Sequence, residues 1–223
     1  MRVLIILFLA LAACGRPLTP AEKSFAAQLH GDTIDTSRIR AVRGSPVGSI
    51  TLLRPKRPRL ACRELILPEP EEDLVTVTPV AMVIHNKVFY ARDWYLDDFM
   101  QNYPERLDLL SAMLFAHEIT HVWQWQNRAK TGYSPLRAAR EHAESDDPYL
   151  FDIDTQTRFL DYGYEQQAGI VEEYVCCAAL DPEGSRTNRL KALISDTIPM
   201  RDLQVPRQIL IPWKDAQLQG ICS

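Results

Sequence analysis

One five-residue run, His117-Glu118-Ile119-Thr120-His121, constrains this chain more than any other feature. Imidazoles at i and i+4 share one helical face, close enough to grip a single ion. The flanks are Leu109 to Ala116 on one side and Val122-Trp123-Gln124-Trp125 on the other, so apolar residues fall on every face. Such a helix belongs in the interior. Two histidines and a glutamate buried without partners would cost several kcal/mol, and a bound cation removes much of that cost. The motif therefore reads as a zinc site of metallopeptidase type, with His117 and His121 as ligands. Glu118 is placed to take a proton from a water on the ion.

A catalytic zinc usually takes three protein ligands and keeps a fourth position open. The best third donor downstream is Glu165, in Asp161-Tyr162-Gly163-Tyr164-Glu165-Gln166-Gln167-Ala168. Small neighbours (Gly163, Ala168, Gly169) would let this segment approach the first helix closely. Glu172, seven residues on, lies on nearly the same face and is the rival ligand. Asp161 is a candidate for orienting a histidine from behind. Tyr133, His142, Tyr162 and Tyr164 are open choices for steadying an oxyanion, and Trp94, Tyr95 and Phe99 for lining a pocket.

The N-terminus points out of the cytoplasm. Met1-Arg2 precedes an eleven-residue apolar run, Val3 to Ala13, too short to span a bilayer. Residues 1–13 read as a signal peptide. Leu11-Ala12-Ala13-Cys14 resembles the lipobox of bacterial lipoproteins, which makes Cys14 the lipidation site. The expectation is an exported outer-membrane lipoprotein, held to the membrane by its lipid and facing the periplasm or the cell surface. Of the remaining cysteines, Cys62, Cys176, Cys177 and Cys222, an even number in an oxidising compartment suggests two disulfides. Cys62 and Cys222 should each take one of the adjacent pair, since bridging Cys176 to Cys177 would be strained. Without a C-x2-C ladder, a thiolate zinc site is the weaker reading.

A formal charge of −4 gives no reason to expect nucleic acid as a partner. One basic run (Arg54, Lys56, Arg57, Arg59, Arg63) is followed by an acidic one (Glu64 to Asp73), and together they read as a solvated, proline-broken loop. Residues 14–223 suit one domain, with 14–74 an irregular extension and 181–223 a C-terminal wrap. Thr19 caps a helix over 20–28. Strands are expected at 74–77 and 80–84, the latter turning at His85-Asn86-Lys87 into 88–91. Asp93 to Gln101 reads as a short helix. The long helix should open at Asn102-Tyr103-Pro104-Glu105 and run to about Lys130, and the second from Gln156 to Leu180. Shorter helices are expected around 136–144 and 189–194, and no internal repeat is visible.

His117-Glu118-Ile119-Thr120-His121-Val122-Trp123-Gln124 with Tyr164-Glu165-Gln166-Gln167-Ala168 resembles gluzincin metallopeptidases. More narrowly, it resembles metallopeptidase domains of bacterial envelope and Rhs/Vgr-associated proteins. The resemblance covers about residues 75–180. It implies an α+β, zincin-like fold, in which a small sheet packs on the buried HExxH helix and a second helix carries the third ligand. It also implies His117, His121 and Glu165 on zinc, with Glu118 as the base. Where the best-studied gluzincins place an Asp that braces a histidine, this chain has Gly169. The function expected is a zinc-dependent hydrolase, foremost a metallopeptidase acting on a peptide or protein of the cell envelope. The alternatives are a lipid-anchored binding or assembly protein with a structural zinc, and a small-molecule hydrolase using the same chemistry.

Overall fold

The computed structural model describes residues 15–45, 50–145 and 147–223. The signal-peptide and Cys14 lipidation readings lie outside them. Among the described residues, no helix is long and apolar enough to cross a membrane.

The fold is α+β. Its main sheet has the order β1-β2-β6-β5, built from β1 (Arg16–Pro17), β2 (Arg40–Arg43), β5 (Ala81–Ile84) and β6 (Lys87–Tyr90). β5 and β6 form the expected hairpin, with Met82 opposite Phe89 and a turn at His85, whose φ is 59°. His85 stacks on Trp125 at 4.0 Å and is no ligand. The parallel partner of β6 is β2, from the segment read as irregular. A four-residue Arg-Ala-Val-Arg strand is too short for its alternation to declare itself. β3 (Leu52–Pro55) pairs with β4 (Leu74–Val77) in a separate two-stranded ribbon, so β4 does not extend the β5 hairpin.

The HExxH helix, α3, spans Leu109–Gln126. Asp108 caps it by accepting from Ser111 N at 2.9 Å. The helix therefore starts later than Pro104 suggested. Residues 106–108 instead form β7 (Arg106–Asp108), which pairs in parallel with β8 (Gln208–Leu210) of the C-terminal segment. α3 packs against α1 (Pro20–His30), against β5 and β6, and most extensively against α6 (Tyr164–Leu180). Its residues from Phe115 to Gln124 are all buried.

No helix forms over 93–101. Those backbone groups are claimed by buried Glu22, which accepts from Phe99 N at 3.0 Å, and by Arg16, which donates to Leu96 O at 2.8 Å. Arg16 also holds Glu22 through two bonds of 2.7 Å, and Glu22 closes a capping box with Thr19.

Beyond α3, Arg128–Thr131 forms a short α4 that ends at Gly132 in the left-handed region (φ 69°). α5 (Pro135–Glu144) follows. α6 begins at Tyr164, not near Gln156, because Glu141 of α5 caps it from outside. That carboxylate accepts from Tyr164 N and Glu165 N at 2.9 and 3.2 Å. Two disulfides, Cys62–Cys176 and Cys177–Cys222, bind α2 (Cys62–Leu65) and the C-terminus to the same stretch of α6. α7 (Ser185–Ser195) packs on α6 from the other side.

Candidate metal centre

Three donor atoms converge between α3 and α6. Glu165 Oε2 stands 3.2 Å from His117 Nε2 and 3.3 Å from His121 Nε2. Glu165 owes its place to the α6 cap just described, because it sits in the first turn. All three residues are buried, and their ligand atoms lie within 4.8 Å of one another. Ligands held tetrahedrally at about 2.0–2.1 Å from zinc stand roughly 3.3 Å apart. Donor type and spacing therefore both fit that ion.

The outer contacts hold these donors in place. His117 Nδ1 meets Glu172 Oε2 at 3.0 Å, and Glu172 is itself bonded by Arg63 Nη1 at 3.3 and 3.4 Å. His121 Nδ1 meets Gln124 Oε1 at 2.9 Å, and Gln124 Nε2 donates to Gln167 Oε1 and to the Tyr164 carbonyl, each at 3.0 Å. Each histidine thus presents Nε2 inward while its other nitrogen is fixed from behind. Glu172, the rival ligand, lies on this rear side of His117. Asp161 braces nothing here, since it pairs with Arg158 at the surface at 2.9 Å. Gly169 faces the 149–151 loop rather than α3: a Cβ there would lie 3.2 Å from Phe151 Cε1, a tight contact, and would point toward that loop.

Electrostatics point the same way. Burial disfavours the charged form of His117, but Glu165 and Glu172 override it and hold the imidazolium up to about 10. Burial opposes charge on Glu165 as well, and His121 and His117 overcome it, leaving the carboxyl well below its usual range. Glu118 is shifted upward by burial, only partly offset by His117 and His121. Three buried carboxylates around two imidazoles favour positive charge in this pocket. Arg63 supplies part of it at Glu172 and the imidazoles can supply the rest, a charge balance that a dication would also fit.

A cleft of about 570 Å³ opens onto His117, Glu118 and Glu172. Among the described residues, the Glu118 carboxylate makes no hydrogen bond or ion pair. Of the tyrosines and histidine left open for the oxyanion, His142 lines this cleft and bonds Glu165 Oε1 at 3.0 Å. Tyr133 is buried beside the His121 ring, and Tyr164 packs edge-on against Tyr133. Tyr162 is turned away, donating to Asp152 O at 2.6 Å. No motif pointed to Tyr149, whose ring lies 5.7 Å from both His117 and His142. Trp94 lines the cleft, whereas Phe99 is core and Tyr95 sits under Arg16.

The basic run is not a solvated loop throughout. Arg57 is buried in a two-bond pair with Asp147 (2.5 and 2.7 Å), and both Arg57 and Arg63 line the cleft. Cys62, Cys176, Cys177 and Cys222 are paired in disulfides, so their sulfurs are not thiolate ligands.

The fold and the site define an α+β protein with a buried His-His-Glu centre between two helices. The chain is similar to the type VI secretion system spike protein VgrG2b of Pseudomonas aeruginosa. The two are 27% identical over 166 residues, a match that spans 73% of this chain and 13% of that protein. The solved effector domain of Pseudomonas aeruginosa VgrG2b aligns with a TM-score of 0.54 at 25% identity, covering 82% of this chain and 85% of that domain. No protein-family model matches. These findings correct the gluzincin assignment: the relatives are a secretion-system spike protein and its effector domain.

Proposed function

We propose that this chain is a zinc-dependent hydrolase, most directly a peptidase, with a zincin-like site. His117, His121 and Glu165 would hold the ion. A bound zinc would supply a Lewis acid that polarises a carbonyl and makes water nucleophilic near neutral pH. Glu118 is the proton carrier. Its raised pKa suits a group that takes a proton from water and returns it to the leaving amine. Tyr149 is the cleft residue available to donate to the oxyanion, while His142 would have to exchange its bond to Glu165 to do so. β5, at the edge of the sheet and beside the cleft, offers backbone groups to an extended substrate.

The observation that carries this reading is Glu118. A buried carboxylate with no partner, facing a cleft, is costly and serves no purpose in a purely structural clamp. The likeness to an effector domain supports action outside the cytoplasm, in line with the signal peptide expected over residues 1–13. We extend the proposal to an envelope peptide or protein as substrate and to anchorage through Cys14.

The test uses purified protein with casein. Stoichiometric zinc is expected in the wild type and its loss in His121→Ala, with cleavage that a chelator stops. Glu118→Gln should keep the metal and lose at least about a hundredfold in rate. Full activity in that variant, or zinc-loaded protein that melts higher yet cleaves nothing, overturns the reading.

A further inference from the structure

One wall of the cleft is a cluster of guanidinium groups. Arg54 at the end of β3, Arg57 in the following connection and Arg63 on α2 all line it. Two of them are committed. Arg57 is held by Asp147, with Glu64 at 3.7 Å, and Arg63 is shared between Glu64 (3.0 Å) and Glu172 (3.3 Å). Arg54 is different. It donates through Nη1 to the carbonyl of its neighbour Pro55 at 2.8 Å and has no carboxylate within ion-pair distance among the described residues. It is half-buried, and burial with the nearby charges of Arg57 and Arg63 works against its own charge more than Asp147 and Glu64 support it.

A guanidinium carries five N–H donors in a planar fork that matches a carboxylate. Holding one half-buried beside two others is unfavourable unless an anion arrives. The carboxylates within reach are already matched to Arg57 and Arg63, so the anion must come with the ligand. The wall formed by Val80, Trp94, Leu110 and Leu114 offers no charge to compete.

We infer that Arg54 forms a subsite for a carboxylate of the substrate, so that the cleft selects acidic peptides. The carboxylate is either an Asp or Glu side chain near the cleaved bond or the peptide's own C-terminus. This rests on the hydrolase reading above and names its substrate class.

The experiment takes peptides spanning the casein cleavage sites. Each is made with Glu or Gln at every position in turn, and with a free or an amidated C-terminus. Binding to zinc-loaded Glu118→Gln is read by fluorescence anisotropy, and cleavage by the wild type as kcat/KM. At one position, or at the C-terminus, the charged form should bind about tenfold tighter. Which arm responds identifies the source. Arg54→Gln should bring the acidic-to-neutral ratio close to one, and Arg54→Lys should retain part of it. Peptides cleaved with no preference for charge, or a preference that survives Arg54→Gln, overturn the subsite and leave the hydrolase standing. If no peptide is bound or cleaved, both fall together.

Discussion

Glu172 contributes to the centre from behind His117. Its carboxylate takes the Nδ1 side and is itself fixed by Arg63, which keeps Nε2 aimed at the other candidate ligands. Glu172→Gln keeps the shape and removes the charge. Zinc affinity should fall by about ten- to a hundredfold with the fold intact, measured by competition against a chromogenic chelator; an unchanged Kd would mean the contact is idle. Elsewhere on α3, buried His30 bonds Thr120 Oγ1 at 3.1 Å. Thr120 donates its own proton to Ala116 O, so His30 carries its hydrogen on Nε2. Burial lowers its pKa from 6.5 to about 3. The folded chain keeps the ring neutral while the unfolded chain protonates it. The resulting stability is complete above about pH 6.5 and is lost as pH falls toward 3. On the order of 3–5 kcal/mol is at stake. Urea denaturation of chelated protein at pH 7 and pH 4 checks this: wild type should lose more stability on acidification than His30→Gln, and equal losses would contradict it.

The long helices were the most legible elements and their ends the least. α3 announces itself through eighteen residues with hardly a charge, and its two histidines fix what it must face. Its start was hidden because residues 106–108 pair with β8, about a hundred residues away in sequence, which leaves Asp108 to cap the helix. The start of α6 was hidden for the same reason, since its cap comes from Glu141 on another helix. Glu165 was legible from its type and small neighbours. Gln124 could have been found at three residues past His121 on the same face. The roles of Tyr149 and Arg57 could not, because loops at 57 and 147–149 meet only in the fold. Within α2, Cys62 is bridged to α6 while its neighbour Arg63 grips Glu172. Replacing Cys62 and Cys176 together with Ser should cost about 2–4 kcal/mol in chemical denaturation and speed zinc release. Release at the wild-type rate would show that Arg63 needs no tether.

At the scale of the molecule, the sheet, α1 and the disulfide-bound tail surround two helices whose contact is the site. The match to 13% of VgrG2b and to 85% of its effector domain marks this as a module that recurs in a larger relative. Both disulfides converge on neighbouring residues of α6, and Cys176 lies eleven residues, or about 16 Å, along the axis from Glu165. In the folded chain the sulfurs of Cys62, Cys177 and Cys222 lie close together at that far end of the helix, so a chain folded with its thiols reduced would offer soft donors there. A thiophilic ion offered too early would be captured at the wrong end. If the buried centre takes its ion only after both bridges have closed, the oxidised chain should offer no sulfur ligand to compete for it. Cobalt added to the reduced chain should develop a thiolate charge-transfer band that the oxidised chain lacks.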